Sequence, residues 1–228
     1  MSKKGTTAKV ESSSQEEDKE SEHKEETTAK VESSSQKKDK NPEYKVGETI
    51  EFGNYPQEED GTEKPIEWIV MKNEGNQVLL LSKYVLDAKP YNKGWENVTW
   101  QTSDIRQWLN NEFYTTAFNK SEKAKIQTSL IKNEYNDTED KVFLLSEKEA
   151  ETLFSNKEER IAKATEYAPK SGVYVNKEKA ACWWLRSPGE DSDSAAEVYD
   201  GGWVSRNGDG VYYNNVGVRP ALYLNVQS

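Results

Sequence analysis

Apolar and polar residues alternate with the two-residue period of β-strands at 48–52 and again at 66–72. The segment between them is rich in turn-forming residues, which predicts an opening hairpin or meander. The run VLLLSKYVL at 78–86 is apolar enough to form a buried central strand. The pattern therefore predicts three strands before any helix.

Helical periodicity begins after Ser103, whose hydroxyl can cap the amino terminus of a helix. Ile105, Trp108 and Leu109 follow at the spacing that places them on one helix face. The segment 102–118 is therefore predicted to hold an amphipathic helix whose apolar face points inward.

A second helix is predicted after Ser146, because Glu149 three positions later completes a capping box. Ala150, Leu153 and Phe154 share one face of this helix. The pattern also predicts three smaller elements: a short strand at 141–145, a helical turn capped by Ser155 and a helical segment at 121–127.

From Val173 onward the chain changes to short apolar segments divided by Gly-rich turns, which predicts an all-β carboxyl half. The predicted strands are CWWLR, AEVYD, GWVSR, GVYY and VGVRPALYL. The whole pattern indicates an α+β fold, with helices packed against one or two antiparallel sheets.

The first 42 residues contain none of the 24 aromatic residues of the chain, and the decamer TTAKVESSSQ occurs in them twice, at 6–15 and 27–36. Such a segment cannot bury enough apolar surface to offset its ordering entropy. We predict a disordered spacer at 1–42, which is either a stalk or a low-complexity leader without a role, and a single globular domain at 43–228.

Residues 43–228 hold 22 basic and 31 acidic residues, a net charge of −9. A strongly acidic domain repels phosphate backbones and anionic lipid surfaces. We therefore expect no nucleic-acid partner, and cationic or neutral ligands remain open. We also expect no direct membrane insertion, because no stretch approaches the roughly 20 apolar residues that a membrane span needs.

Composition also removes much of the catalytic repertoire. The single histidine, His23, lies in the spacer, and the single cysteine is Cys182. The domain therefore lacks the residues for a Ser/His/Asp triad, a Cys/His dyad or a zinc cluster. We predict no catalytic residue, and we expect Cys182 to be a small buried hydrophobe because no histidine can activate it.

Two motifs carry a resemblance to a known family: WWLRSPG at 183–189 and GVRPALYL at 217–224. Together they resemble an uncharacterised bacterial family, the domain of unknown function DUF6273. The amino-terminal half agrees through FGNYPQ at 52–57 and TWQTSDIRQWLNNEFYTTAF at 99–118, so the resemblance covers about 44–226. It implies a fold and no established activity.

More distantly, the WLR strand followed by a terminal GVRP strand resembles the C-type-lectin-like architecture of formylglycine-generating enzymes and of retroelement-diversified proteins. The oxidase branch needs a cysteine pair for copper, and the chain has one cysteine. The EPN, QPD and WND ligand motifs of calcium-dependent lectins do not occur either. The resemblance implies a C-type-lectin-like scaffold with short antiparallel sheets, two or three packed helices and a loop-rich all-β carboxyl half, whose loops present a binding surface.

The segment DGGWVSRNGDGVYYNNVG at 200–217 combines aromatic rings with short hydrogen-bonding groups, a composition typical of adaptable recognition surfaces. The candidate ligand-binding residues are Trp203, Arg206, Asn207, Asp209, Tyr212 and Tyr213. The alternative is an ordinary hairpin pair with Asn-Gly and Gly-Gly turns. Strand alternation predicts that one of the two adjacent tyrosines is exposed.

Arg186 and Arg219 lie in apolar strands, where a guanidinium needs a carboxylate or carbonyl partners. They form either an anion clamp or structural ties, and the apolar surroundings favour structural ties. Trp183 and Trp184 are consecutive and should face opposite sides of a strand, one of them in the core. Trp95 lies in a polar loop and is expected to be exposed.

The loops at 189–194 and 207–210 are rich in carboxylates, yet their spacing does not match a calcium-binding loop. We interpret them as solvated turns and predict no metal or cofactor.

These observations favour a non-catalytic binding module that recognises a glycan or a protein through its carboxyl-terminal loops. A carboxylate-dependent enzyme acting on glycans and a structural domain of a larger assembly are the alternatives. The Ser- and Thr-rich leader favours the cell surface, although no signal peptide is present in the sequence.

Overall fold

Two β-sheets, each assembled from distant parts of the chain, form the frame of the structure. The computed structural model describes residues 44–226, which fall within the unit Lys40–Ser228. The spacer predicted at 1–42 lies outside the described residues. Strands dominate and the helices are short, which confirms the predicted α+β class.

The strands of the described region follow in chain order. They are β1 (Thr49–Pro56), β2 (Glu63–Asn73), β3 (Gln77–Ser82), β4 (Asp87–Ala88), β5 (Ser129–Ile131), β6 (Thr138–Asp140), β7 (Ala162–Lys163), β8 (Ala180–Ala181), β9 (Trp183–Pro188), β10 (Ser194–Val198), β11 (Val204–Gly210), β12 (Gly217–Val218) and β13 (Ala221–Asn225).

The first sheet has the order β1–β2–β3–β13 and is antiparallel throughout. Strand β3 lies inside it with residues 78–82 buried, which confirms the predicted central strand for 78–82, whereas the predicted residues 83–86 lie beyond its end. The second sheet has the order β11–β10–β9–β12–β4, in which the β9–β12 pair is parallel. Short ribbons β5–β6 and β7–β8 complete the strands. Because β13 pairs with β3, the carboxyl terminus closes on the amino-terminal sheet.

The helices are α1 (Asp104–Trp108), α2 (Tyr114–Ala117), α3 (Lys120–Lys123), α4 (Glu147–Thr152), α5 (Lys157–Arg160) and α6 (Ala168–Ser171). A π-helical segment at Leu109–Phe113 joins α1 to α2, so the amphipathic helix predicted within 102–118 is confirmed. Its cap is the predicted one, because the Ser103 hydroxyl accepts a hydrogen bond from the Arg106 amide. The capping box of α4 is also present, with Ser146 and Glu149 bonding each other's amides.

Three local predictions are wrong. Residues 141–145 form an isolated bridge between Phe143 and Ala221 instead of a strand, and the nearby strand is β6. Helix α5 is capped by Asn156 instead of Ser155, because the Asn156 side chain accepts from the Glu159 amide. Residues 206–210 belong to β11 instead of a turn, and the two tyrosines predicted in the strand GVYY lie beyond its end.

The tryptophans of the WWLR motif are both fully buried and lie in consecutive positions of β9. Trp184 packs edge-on against Tyr91, 5.8 Å between ring centroids, and donates to the carbonyl of Lys89. The segment that follows β4 therefore covers the second face of this sheet. Trp68 and Trp100 are buried and Trp108 is half-buried, as expected for packing residues.

The guanidinium of Arg186 is bound by side chains and carbonyls of the protein itself. It contacts both carboxylate oxygens of Glu149, with Nη2 and Oε1 3.1 Å apart. It also donates to the carbonyls of Leu144 and Lys132 and to the side chain of Asn133. These contacts tie β9 to α4 and support the structural interpretation.

Arg219 is 1% exposed and is held by carbonyls and rings. It donates to the carbonyls of Ser82 and Arg160, at 2.9 and 3.3 Å, and its Cζ lies 4.9 Å from the Trp183 ring centre. Desolvation lowers the pKa of this guanidinium to about 9. Its contacts lie within the protein interior, so they also favour a structural role.

No helix within residues 44–226 has both the length and the apolar character needed to cross a membrane.

Candidate functional site

Three aromatic rings from two loops stack at the surface, and we call them the aromatic platform: Trp95, Tyr212 and Tyr213. The rings of Trp95 and Tyr212 are stacked and nearly parallel, with an interplanar angle of 8° and centroids 4.3 Å apart. Tyr213 lies next to Tyr212 at 4.6 Å. Trp95 is 72% exposed and Tyr213 is 41% exposed, so the platform presents a broad apolar surface to solvent.

Backbone hydrogen bonds bring the two loops of the platform together. The Asn92 amide donates to the Val211 carbonyl at 2.9 Å, and the Val211 amide donates to Asp193 at 2.9 Å. A turn follows directly, because the Tyr213 amide bonds the Gly210 carbonyl. A Cβ at position 210 would lie 2.8 Å from the Tyr212 ring, so the platform needs glycine there.

A cleft of about 350 Å³ adjoins the platform. Its walls come from residues 97–99, Tyr135 and residues 188–192. The first and last of these segments are joined by a hydrogen bond from the Val98 amide to the Ser192 carbonyl, at 3.2 Å. Asn97 lies two residues after Trp95, and Ser192 precedes Asp193, which bonds the platform turn. These backbone contacts make the loops of the platform and of the cleft neighbours, and we call the two together the platform face.

The platform face is acidic. Glu190 and Asp191 are exposed in the cleft wall, and Asp193 and Asp209 lie near Tyr212. The Tyr213 side chain raises the pKa of the Tyr212 phenol most, and the charges of Asp193 and Asp209 add to the shift. Within residues 44–226, these four carboxylates form no ion pair.

The six candidate ligand-binding residues are distributed along β11, and the structure does not bring them into one site. Trp203 precedes the strand and the two tyrosines follow it, and the strand ends pair with Val198 and Ser194 of β10, which lie about 13 Å apart along that strand. Trp203 is 60% exposed, and the Nζ of Lys157 lies 4.3 Å from its ring centre. Tyr212 and Tyr213 join the platform, with Tyr213 the more exposed of the two.

The polar candidates occupy the strand between these ends. Arg206 forms ion pairs with Glu147 at 2.9 Å and with Glu151 at 3.1 Å, so its charge is used to attach β11 to α4. Asn207 is exposed, and its backbone carbonyl accepts from the Glu190 amide in the cleft wall. Asp209 accepts from the Gly210 amide at the base of the platform.

The sequence predicted Trp95 only as an exposed residue and did not place Tyr135, Glu190 and Asp191 beside it. An aromatic residue in the polar loop NKGWENV was the available signal. Its partner Tyr212 could not be inferred, because the stacking depends on loop contacts far apart in sequence. The cleft could not be predicted either, because its walls come from three segments that are far apart in sequence.

Two titratable groups in or next to the second sheet have raised pKa values: Glu197 in β10 and Cys182 directly before β9. Glu197 is 1% exposed, and its Oε2 has no hydrogen-bond partner among the described residues. Burial and the charge of Asp209 raise the pKa of this carboxyl to about 7. Burial, with a further contribution from Glu197, raises the pKa of the half-buried Cys182 thiol to about 11. Neither group is placed for chemistry on an external substrate.

A second cleft, of about 390 Å³, lies beside α1. Lys89 stands at its wall, with Nζ 3.1 Å from the buried carboxylate of Asp87 and 4.9 Å from the Trp108 ring centre. The charge of this lysine is therefore neutralised inside the protein. Within the described part of the chain, no cluster of three or more His, Cys, Asp or Glu side chains could hold a metal ion.

The comparison with protein families found a match. Residues 75–226 match the family described as a domain of unknown function, DUF6273, so the chain belongs to that family. This confirms the resemblance carried by WWLRSPG and GVRPALYL. Comparisons with curated proteins and with solved structures gave no match.

Proposed function

We propose that this domain is a non-catalytic binding module that recognises a glycan through the platform face. The proposal includes a C-type-lectin-like scaffold, which is supported by an antiparallel first sheet and by a late strand, β13, that pairs with β3 near the start of the fold. It also includes display at the cell surface, which the leader sequence favours. The segments 188–192 and 212–213 of the platform face belong to the carboxyl half, where the resemblance implies a binding surface, whereas Trp95 and Tyr135 come from the amino half.

The observation that carries the proposal is the exposure of the Trp95–Tyr212 stack. An isolated exposed tryptophan is costly, because a large apolar surface faces water. Here the indole is held against Tyr212 at 4.3 Å and still keeps 72% exposure. A fixed aromatic surface beside hydroxyl and amide groups, such as Asn97 and Ser192, is suited to packing on a sugar ring.

A glycan-acting enzyme is less well supported. Its acid would need a raised pKa and access to substrate. Glu197 has the raised pKa, yet it is 1% exposed. A protein ligand remains the second outcome of the same binding test.

The test uses the full chain on an array of neutral, cationic and acidic glycans, with and without calcium. Trp95→Ala should abolish saturable binding because it removes the outer ring of the platform. Trp203→Ala is the matched control, an exposed tryptophan at the other end of β11, and it should bind as the parent does. Both variants should melt within a few degrees of the parent.

Binding that survives Trp95→Ala and is lost in Trp203→Ala would move the site to the Lys157 end of the strand. An array without binding by the folded protein would contradict glycan recognition, and a pull-down would then test a protein partner.

A further inference from the structure

We propose that the platform face selects glycans that carry free, protonated amino groups, such as glucosamine polymers. This inference rests on the proposed function and adds the charge of the ligand. It follows from the charged residues that line the cleft of the platform face, which are acidic, whereas the clefts beside it include lysines.

The cleft of the platform face is lined by negative charge and by no cationic side chain. The residues lining the 350 Å³ cleft include Glu190 and Asp191 and no lysine or arginine. Both carboxylates are exposed and, within residues 44–226, form no salt bridge. Elsewhere many of the acidic side chains are paired with lysine or arginine, as Glu149 is with Arg186. Unpaired carboxylates beside a ligand surface can bind cations and repel anions.

The aromatic rings act in the same direction. Tyr212 covers one face of the Trp95 indole, and the ring remains 72% exposed. An exposed indole face attracts a cation through its quadrupole. Lys157 already makes this contact with Trp203, at 4.3 Å, so that tryptophan is supplied with a cation by the protein itself. None of the cation–ring contacts in the described residues involves Trp95.

The sugar ring and the amine are recognised by different parts of the face. The platform supplies an apolar surface for the ring carbons, and Asn97 and Ser192 supply hydrogen-bonding groups for hydroxyls. The carboxylates supply the attraction for the ammonium group. Beyond Tyr135 the neighbouring cleft is lined by Lys132 and Lys148, so the cationic selectivity is confined to the side that faces the platform.

The test compares two probes with the same backbone: a glucosamine oligomer and its fully N-acetylated counterpart. Binding of the full chain to each is measured by calorimetry at about pH 6, where the free amines carry charge. We expect the glucosamine oligomer to bind about tenfold more tightly, and added salt to reduce that ratio because the carboxylates are exposed.

Variants separate charge from fold. Glu190→Gln/Asp191→Asn should lower the affinity for the glucosamine oligomer about threefold to tenfold and leave the N-acetylated oligomer unaffected. Glu51→Gln/Glu63→Gln removes the same charge from exposed positions of the first sheet and should change neither affinity. Trp95→Ala should abolish binding of both oligomers.

The outcomes distinguish the inference from the proposed function. Equal or tighter binding of the N-acetylated oligomer, lost in Trp95→Ala, would overturn amine selection and leave a glycan-binding platform. Equal losses in the two double variants would also overturn it, because net charge would then explain the effect. If neither oligomer bound, amine selection would be overturned, and the array would decide the proposed function separately.

Discussion

Glu149 serves two structures with one carboxylate: it completes the capping box of α4 and pairs with the buried guanidinium of Arg186. Its Oε2 accepts from the Ser146 amide at 2.8 Å and also contacts Arg186. The two motifs SEKEAE and WWLRSPG are thereby joined at one residue. The link explains why an arginine is tolerated in an otherwise apolar strand.

Glu149→Ala should therefore cost far more stability than loss of the cap alone. Removing one partner of a buried ion pair costs about 3–5 kcal/mol, because the other charge remains buried. Ser146→Ala removes only the capping hydroxyl and should cost about 1 kcal/mol. Urea denaturation of both variants measures the difference, and equal losses would show that the Arg186 contact contributes little.

The pH dependence of the Glu149 contribution has a definite sign. Burial raises the pKa of this carboxyl, but the hydrogen bonds and charge of Arg186 outweigh burial and hold it below its ordinary value. A carboxyl with a depressed pKa stabilises the folded state above its unfolded pKa and loses that contribution as pH falls. The unfolding free energy of the parent should decline in acid, and Glu149→Gln should reduce that decline.

Glu197 should have the opposite effect on the pH dependence of stability: its contribution to the unfolding free energy should fall as pH rises. Burial and Asp209 raise its pKa from 4.5 to about 7, so the folded state binds a proton more tightly than the unfolded state. The stabilisation that the protonated Glu197 carboxyl gives the folded state is complete below pH 4.5 and is lost as pH rises through about 7. Glu197→Gln should remove this loss, so the variant gains melting temperature relative to the parent at pH 8.

The matched control for Glu197 is Glu63→Gln, which neutralises an exposed carboxylate on β2. It should follow the parent at every pH. A Glu197→Gln variant that melts below the parent at both ends of the range would show that the buried carboxylate is stabilised in its charged form.

Gly202 should tolerate no side chain. Its φ is +81°, and a Cβ there would lie 1.9 Å from the Lys157 carbonyl oxygen. Its own carbonyl accepts from Arg160, so the turn cannot move freely away from α5. Gly202→Ala should cost about 2–4 kcal/mol. Gly201→Ala, whose Cβ would meet only Trp203 at 3.7 Å, should stay within about 0.5 kcal/mol by thermal denaturation.

The Cys182 thiol should react slowly in the native protein. Burial raises its pKa from 9.0 to about 11, which lowers the thiolate fraction about a hundredfold at a given pH. Because the chain has one cysteine, iodoacetamide alkylation followed by mass spectrometry reports on this residue alone. Alkylation in urea should be faster by about the same factor, and equal rates would contradict the shielding.

The sequence by itself determined the local elements and the class of the fold. Helix starts at Ser103 and Ser146 were predictable because capping depends on residues within three positions of each other. The buried strand at 78–82 and the α+β class followed from periodicity, which reflects burial of one side of each element. Predictions were wrong where a contact distant in sequence sets the local structure. The segment around Phe143 was predicted as a strand, but it forms a single bridge, to Ala221.

The tertiary structure alone decided which side chains share a surface. Trp203 and Tyr212 are close in sequence but lie at opposite ends of β11, whereas Trp95 and Tyr212 are far apart in sequence and stack at 4.3 Å. The loop hydrogen bonds that create this stack are backbone contacts, such as Asn92 to Val211, and any residue type can make them. The residue types therefore do not reveal the stacking of Trp95 on Tyr212. Composition could suggest a candidate segment at 200–217, but it could not show which other residues share its surface.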